Sequence, residues 1–284
     1  MVDTSAFDQP EARGLRLVLA TLRVTVAAAC VGAAGEVLLA NGESPVVALL
    51  LARQPGLTAD PPVVARVAAG LLFAAGMFSL TRPCWPVLLP LAGWFGLIAA
   101  TNLTGDSGVI ALIRTAATSG GAAAAVGLLL LDLYPPRAKF SLARFLITAM
   151  IVRLSTAVVF AALGAAAIHD ANFGGPGLRT VRRIGYVLTG SEPDAAVAGW
   201  CLSAFGAVQI GLALCASLAR VRFVAAAMIV VAFVAVSSEV FLQGPVGVAT
   251  TVRRLPECGL PATLFFIWWL AIQEQEGSLR PRST

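Results

Sequence analysis

Five ionisable residues stand in or beside long apolar runs, where a charge is costly unless it is paired or used. They are Glu36, Arg114, His169, Glu239 and Arg253. A guanidinium group is a fixed fork of donors, so the two arginines could bind an anion or a quinone carbonyl. An intramembrane carboxyl can relay a proton, which makes the two glutamates candidates as well. We therefore predict a ligand-binding role for these five residues, with no catalytic residue and no metal site.

A structural role competes with ligand binding for both arginines. Arginine at mid-helix costs about 2.5–3.5 kcal/mol in a membrane, and less near the interface, where it can extend to the headgroups. Arg114 and Arg253 are expected only a few residues after the loop that precedes their helix, so they could reach phospholipid headgroups or hold a loop helix in place. Arg23 and Arg153, in the first helix of each half, are expected to extend towards the opposite face.

The acidic residues and the histidine also have structural alternatives. Glu36 and Glu239 lie near helix ends, where a carboxylate can be solvated. Pairing is a further option, Glu36 with an outer-loop arginine and Glu239 with Arg253 or Arg254. His169 is expected at the end of a helix, where a cation is favourable, so capping competes with a proton relay or a single axial ligand.

Composition assigns the chain to the membrane. Its 284 residues are 58% hydrophobic and 12% charged, whereas a typical soluble domain has about 25% charged residues. No basic face of the kind that binds nucleic acid stands outside the apolar runs. One histidine and five cysteines without a CxxC pair argue against a zinc site, a disulfide framework or a bis-histidine haem.

Eight apolar runs approach the length of about 20 residues that a helix needs to cross the hydrocarbon. The predicted spans are residues 15–40, 62–81, 84–101, 108–132, 142–168, 196–219, 222–242 and 258–273. The third and the eighth are short for full spans. Two longer connections, 41–61 and 170–194, each contain a part-apolar segment that we predict to be an interfacial or re-entrant helix on the non-cytoplasmic side, with a packed loop as the alternative for the first.

The second half of the chain is a diverged copy of the first. Residues 108–114 (GVIALIR) are echoed 139 positions on by residues 247–253 (GVATTVR), and Gly120 is echoed by Gly259. An even number of spans in each half predicts parallel repeats rather than inverted ones. The predicted fold is therefore all-α, with one four-helix membrane repeat in residues 1–134 and a second in residues 135–284.

Basic residues in short connections predict the orientation. Those on the same face as the N-terminus are Arg82, Arg137, Lys139, Arg144, Arg220 and Arg222, with Arg280 and Arg282 in the tail. We expect an integral protein of the bacterial cytoplasmic (inner) membrane with both termini in the cytoplasm. Interfacial anchoring is expected of Trp85, Trp94, Trp268 and Trp269. Close helix packing is expected at the i, i+4 pairs Ala28/Gly32, Ala116/Gly120 and Ala207/Gly211.

The pattern resembles two fused units of the DoxX/DoxD-like family of four-helix membrane proteins, over nearly the whole chain. In the first half the matching features are Arg16, Arg23, Gly32 and Gly35 in the first helix, then Leu80-Thr81-Arg82-Pro83, and Arg114 before Gly120-Gly121. The second half keeps Arg144, Arg153, Gly206, Gly211, Arg220, Arg253 and Gly259. The tandem fusion and the lack of paired cysteines depart from the family pattern.

The resemblance implies a non-catalytic accessory or anchoring subunit of a quinone-linked or other electron-transfer complex. Its partners would be the lipid bilayer and other membrane subunits, and no nucleic acid. Quinone, pigment or lipid are the bound molecules to expect. Two alternatives stay open: a small carrier for a lipophilic or anionic solute, and a quinone-reactive oxidoreductase subunit with Glu36 or Glu239 as proton donor.

Overall fold

The computed structural model describes residues 10–40, 44–52, 60–105, 108–131 and 142–279, with side chains placed in all of these except 10–13, 105, 142, 241–243 and 271–279. This part of the chain is built from α-helices. They are α1 (Pro10–Leu39), α2 (Pro45–Ala52), α3 (Pro61–Thr81), α4 (Trp85–Ala100), α5 (Asn102–Gly105), α6 (Val109–Thr118), α7 (Gly120–Leu131), α8 (Leu142–Phe173), α9 (Pro176–Thr189), α10 (Ala195–Leu218), α11 (Arg222–Gln243), α12 (Pro245–Arg253) and α13 (Pro256–Leu279).

Six stretches are long and apolar enough to cross a membrane, and they lie in α1, α3, α4 with its continuation to Thr104, α8, α10 and α11. The prediction of an all-α polytopic membrane protein is confirmed to that extent. The run that we considered short, 84–101, is one of the six because the helix extends past its predicted end. α8 likewise continues to Phe173, five residues beyond the predicted boundary at 168.

The remaining two predicted spans fall on broken or partly described helices. α6 and α7 together pass the same test of length and composition, but they meet at an angle of 45°. The run 258–273 lies in α13, whose side chains are described only as far as Leu270. Seven spans are therefore counted if the bent pair is one span, and the eighth stays a prediction.

Local chemistry explains two helix breaks, the one between α6 and α7 and the one between α12 and α13. At the first, the Thr118 and Ser119 hydroxyls donate to carbonyl oxygens three and four residues back. Gly120 and Gly121 follow directly, and such a Ser/Gly pair is a common cause of a helix kink. At the second, Pro256 lacks a backbone N–H and disfavours helical geometry at the residue before it, so α12 ends at Arg253.

α1 and α8 form the centre of the bundle. The apolar window of α1 is more buried than that of any other counted span, and α8 follows it. Gly127 of α7 lies beside Leu22 of α1 and Val152 of α8, whereas in α6 Thr118 lines a cavity with Glu36 and Arg114 pairs with Asp170. Both long helices therefore run antiparallel to α6 and α7, and parallel to each other. α1 packs against α3, α12 and α13, whereas α8 packs against α10, α6 and α7.

Glycines set the closest helix contacts. A Cβ on Gly32 of α1 would collide with the backbone at Arg253, so these two helices touch through their main chains. Gly164 of α8 and Gly206 of α10 face each other's carbonyl oxygens in the same way. Small residues allow such approach in membranes, which confirms the expectation at Gly32. Gly211 faces open space instead, so that part of the packing prediction is wrong.

Several helices expose large apolar side chains, as a lipid-facing surface does. Examples on α3, α4, α8 and α11 are Leu71, Phe73, Trp85, Leu154, Phe223 and Phe233. Trp268 is buried in the core, so its assignment as an interfacial anchor is wrong. Four of the basic residues that predicted the orientation, Arg137, Lys139, Arg280 and Arg282, lie outside the described residues.

Arginines cap helix ends at the end of the bundle that lies opposite the α6–α7 and α12–α13 breaks. Arg23 of α1 donates from Nη1 to the Leu80 carbonyl oxygen at the end of α3, at 3.3 Å. Arg153 of α8 donates to Ala216 and Ser217 at the end of α10, at 2.8 and 2.6 Å. The last carbonyls of a helix lack intrahelical partners and carry negative dipole charge, so a guanidinium group is favourable there.

Candidate functional site

The first feature of the site is an ion pair between α1 and α12. Glu36 lies one turn before the end of α1, and its Oε2 is 2.8 Å from Nε of Arg253. The contact at Gly32 brings the α12 backbone close enough for this pairing. The Nε–H bond does not point along that line, so Nε makes no hydrogen bond and remains a buried donor without an acceptor.

A second ion pair of the same kind joins α6 to α8. Nη2 of Arg114 donates to Oδ1 of Asp170 at 3.0 Å. The other carboxylate oxygen of Asp170 accepts the backbone N–H of Gly177 at 2.8 Å, in the first turn of α9. Gly175 also donates its N–H to the Asp170 carbonyl oxygen at 3.0 Å. This aspartate therefore pairs with the arginine and fixes the start of α9 at once.

A third cluster lies where α12 meets α13. Arg254 makes a two-pronged contact with Glu257, from Nε at 2.7 Å and from Nη2 at 3.0 Å. Its Nη1 donates to Oε1 of Glu239 near the end of α11. Such two-pronged charged bonds are among the strongest hydrogen bonds in proteins. Gly247 lies against the Glu239 backbone, and Thr251 donates to the Val236 carbonyl oxygen, so α12 runs antiparallel beside α11.

A cavity of about 360 Å³ opens beside the first ion pair, between α1, α2, α4, α6 and α12. That volume falls within the range of small-molecule pockets, about 300–1,000 Å³. Glu36 and Arg253 lie on one side, with Trp94 of α4, Asn102 and Thr118 elsewhere on the wall. The rest of the lining is mainly apolar: Ala33, Val37, Ala40, Pro45, Val46, Ile98 and Val246.

Two hydrogen-bond donors on the cavity wall have no acceptor among the described residues. They are the indole Nε1 of Trp94 and Nε of Arg253, both buried. The amide of Asn102, by contrast, already donates to the Ala99 carbonyl oxygen and to Thr118, each at 3.0 Å. A buried donor left unsatisfied costs roughly 1–3 kcal/mol. A ligand with an acceptor oxygen would remove that cost at either atom if the side chain turned towards the cavity.

The five residues predicted from the sequence do not form a single constellation. Glu36 and Arg253 come together and line the cavity, whereas Arg114 pairs with Asp170 on other helices. Glu239 pairs with Arg254, which confirms one of the two pairings considered for it. Glu36 pairs with an arginine of α12 rather than with one in the outer loops.

His169 lies in the last turn of α8, away from the residues that line the cavity. Its ring packs on Phe173, with centroids 4.7 Å apart. Its Nδ1 is 3.8 Å from Oδ1 of Asp170, which is beyond hydrogen-bond distance, and it has no hydrogen-bond partner. Its position near a helix end agrees with the capping alternative, but the last carbonyls are not among its contacts.

Three contributors were missed by the sequence reasoning: Asp170, Glu257 and Trp94. Asp170 was missed because the predicted span ended at residue 168; in the structure it stands three residues before the end of α8, just as Glu36 stands three before the end of α1. Trp94 was expected to be an interfacial anchor, but its indole N–H is buried at the cavity. No group of three or more His, Cys, Asp or Glu suited to a metal occurs in the described residues, and the cysteines are free.

Comparison with known proteins adds no relative to this description. No family model, no curated protein and no solved structure matches the chain, so the DoxX/DoxD-like resemblance stays a prediction.

Proposed function

We propose that this chain is a non-catalytic membrane subunit that holds a lipophilic molecule by an acceptor oxygen in the cavity beside Glu36 and Arg253. The observation that carries the proposal is one largely apolar cavity lined by Trp94 and Arg253, two residues whose Nε1 and Nε donors are buried without a hydrogen-bond acceptor among the described residues. Such a wall suits an amphiphile with a carbonyl or ester oxygen at one end, as quinones and lipids have. A free anion fits less well, because the carboxylate of Glu36 faces the same space.

The use of the charged residues supports a scaffold rather than a catalyst. Glu36, Asp170, Glu239 and Glu257 each pair with an arginine that belongs to another helix or to a helix junction. Pairing lowers the cost of charge in the bundle and ties helices together. A general acid or base would instead need a titrating group aimed at the bound molecule.

The proposal includes an eight-span architecture in two parallel repeats. Its support is that the two halves make matching contacts. Glu36 to Arg253 and Asp170 to Arg114 both link the end of a long helix in one half to an arginine in the other half. The carboxylates are 134 positions apart (170 − 36) and the arginines 139 (253 − 114). In this arrangement the first helix of each repeat packs on the last two helices of its neighbour.

Localisation and partners complete the proposal. With the capped ends at Arg23 and Arg153 facing the cytoplasm, the cavity opens on the non-cytoplasmic half of a bacterial inner membrane. The exposed apolar surface of the outer helices suits lipids and other membrane subunits, and the family resemblance favours subunits of a quinone-linked redox complex. Purification from native membranes, with mass spectrometry of co-purifying chains, tests the complex. A homogeneous monomer without partners would contradict it.

The cavity itself is tested with a matched pair of tryptophan variants on α4. Trp94→Phe removes one buried donor and keeps the ring, whereas Trp85→Phe changes an exposed tryptophan on the same helix. Native mass spectrometry with decylubiquinone as the probe should show about 5-fold weaker binding for Trp94→Phe, the effect of one hydrogen bond. Binding should be unchanged for Trp85→Phe. Equal binding by the wild type, Trp94→Phe and Trp85→Phe would contradict the cavity proposal.

A quinone-reactive enzyme is the second candidate, favoured by one observation: Glu36 is a carboxyl on the wall of the same cavity. Under this alternative, Glu36→Gln would abolish quinone reduction while leaving decylubiquinone bound. If the wild-type protein, with its partner chains present, does not reduce the quinone with any membrane donor, the alternative fails and the scaffold proposal stands.

A further inference from the structure

The basic helix α9 contributes no residue to the wall of the cavity. Its fourteen residues measure about 21 Å, which is too short to cross a membrane. It connects α8 to α10, two stretches that are long and apolar enough to span. Positive φ angles at Gly174 and Gly190 allow the chain to turn at both ends, and Asp170 holds the first turn. α9 therefore lies along the membrane surface in a fixed position.

The two faces of α9 differ in chemistry. Leu178, Val181 and Ile184 lie on one face and are half-buried, in a helix that packs on α8, α10 and α11. The other face carries Arg179, Arg182 and Arg183. No residue of α9 is fully buried. An amphipathic helix with a basic face and a partly uncovered apolar face is typical of segments that lie in the membrane interface.

Two of the three arginines are available to a ligand. Arg182 is engaged with Glu192 at 2.7 Å. Arg179 and Arg183 are exposed, stand one turn apart on the helix, and form no ion pair within the described part of the chain. The guanidinium group of Arg183 lies over the ring of Tyr186, 5.5 Å from its centroid, which orients it. Together they present two forks of donors, the arrangement that binds phosphate oxygens.

Aromatic and apolar side chains surround α9 at the level expected of the membrane interface. Phe173 at the end of α8 is 77% exposed, Trp200 in the second turn of α10 is 79% exposed, and Leu188 of α9 is 75% exposed. Aromatic side chains gather where hydrocarbon meets headgroups. The phosphates of the adjacent lipids would then lie beside Arg179 and Arg183.

α2, the short helix that follows α1, also connects two spans but has no basic face. α2 consists of apolar residues and one proline, and it buries Val46 and Val47. From α9 and its surroundings we infer that Arg179 and Arg183 form a binding site for the phosphate of an anionic phospholipid in the adjacent leaflet. The charge of the site favours an anionic lipid over a zwitterionic one, because the phosphate of the latter is already balanced by its own cation.

The test uses the full-length protein in detergent and native mass spectrometry. Phosphatidylglycerol and phosphatidylcholine with the same acyl chains are offered in equal amounts. The wild-type protein should favour phosphatidylglycerol, and Arg179→Gln/Arg183→Gln should lower that preference by about 5-fold for each arginine. The control, Arg220→Gln/Arg222→Gln, removes the same charge at the opposite end of the bundle and should leave the preference unchanged.

Three outcomes would overturn the inference. The first is an unchanged preference in the α9 variant, and the second is an equal loss in both variants, which would indicate net charge alone. The third is displacement of phosphatidylglycerol by excess inorganic phosphate, which would indicate a site for a soluble anion. Decylubiquinone binding by the α9 variant should stay at the wild-type level, so this site and the cavity can fail separately.

Discussion

The ion pairs Arg114–Asp170 and Arg253–Glu36 use the same chemistry but leave different surroundings. In the first, Asp170 has both oxygens occupied, by Arg114 and by the start of α9. In the second, Glu36 meets Arg253 beside a cavity of about 360 Å³, and the Nε donor stays unsatisfied. One pair closes a joint between helices, and the other leaves room for a ligand.

The short helix near each pair accounts for the difference. Asp170 accepts the N–H of Gly177 in α9, so its pair is covered. Near the other pair, α2 contributes Pro45 and Val46 to the cavity wall, and Ser44 directly before it contributes as well. A carboxylate that also holds the start of a helix has a structural role, whereas one that borders a cavity can still interact with a bound ligand. Function should therefore concentrate at Glu36 and Arg253, and stability at Arg114 and Asp170.

The largest expected effect is on stability at the closed pair. Asp170→Asn removes the carboxylate charge that lies 3.0 Å from Nη2 of Arg114, in a site where the aspartate side chain is 10% exposed. Breaking a buried pair costs about 3–5 kcal/mol. We expect about 2–3 kcal/mol here, because the arginine side chain is 26% exposed and partial solvation screens it. Steric trapping in detergent micelles measures the free energy of unfolding.

The matched change at the open pair is Glu36→Gln. The side chains of Arg253 and Glu36 are 24% and 23% exposed. We therefore expect the free energy of unfolding to fall by about 1 kcal/mol, because partial solvation screens this pair as well. The double variant Arg114→Gln/Asp170→Asn should recover part of the loss seen in Asp170→Asn, since both charges of the pair are then removed together. A larger loss from Glu36→Gln than from Asp170→Asn would reverse the comparison.

The next effect concerns the helix contact that creates the open pair. Gly32→Ala places a methyl group against the Arg253 backbone and forces α1 and α12 apart. Such overpacking costs about 1–3 kcal/mol, and the displaced arginine should also bind decylubiquinone more weakly. Thermal unfolding and native mass spectrometry measure the two effects.

Gly211→Ala is the control for that contact. It adds the same methyl group to another apolar helix, where a Cβ would meet nothing within 4 Å. Alanine is the better helix former by about 1 kcal/mol, so this variant should be neutral or slightly more stable. If the two variants behaved alike, main-chain contact at Gly32 would not be what positions Arg253.

The sequence predicted the helical elements well and the site only in part. Apolar runs of about 20 residues locate spans because a membrane leaves few alternatives. The short helices α2 and α9 also formed where part-apolar segments stood between spans. The pairing of Glu36 with Arg253 was missed because it depends on which helices are neighbours, and α1 packs on α12, over 200 positions away. The donor at Trp94 was missed because a tryptophan pattern cannot distinguish an interface from a cavity wall.

The smallest effect isolates the unsatisfied donor of the open pair. Arg253→Lys keeps the positive charge beside Glu36 but removes the Nε–H and the planar fork. The loss of one hydrogen bond, about 1 kcal/mol, should weaken decylubiquinone binding about 5-fold while stability changes little. Arg114→Lys makes the same replacement at the closed pair, whose arginine is not among the residues that line the cavity, and should leave binding at the wild-type level. Weaker binding in both variants to the same degree would mean that the arginines act through the bundle as a whole, and that the cavity beside Arg253 does not hold the ligand.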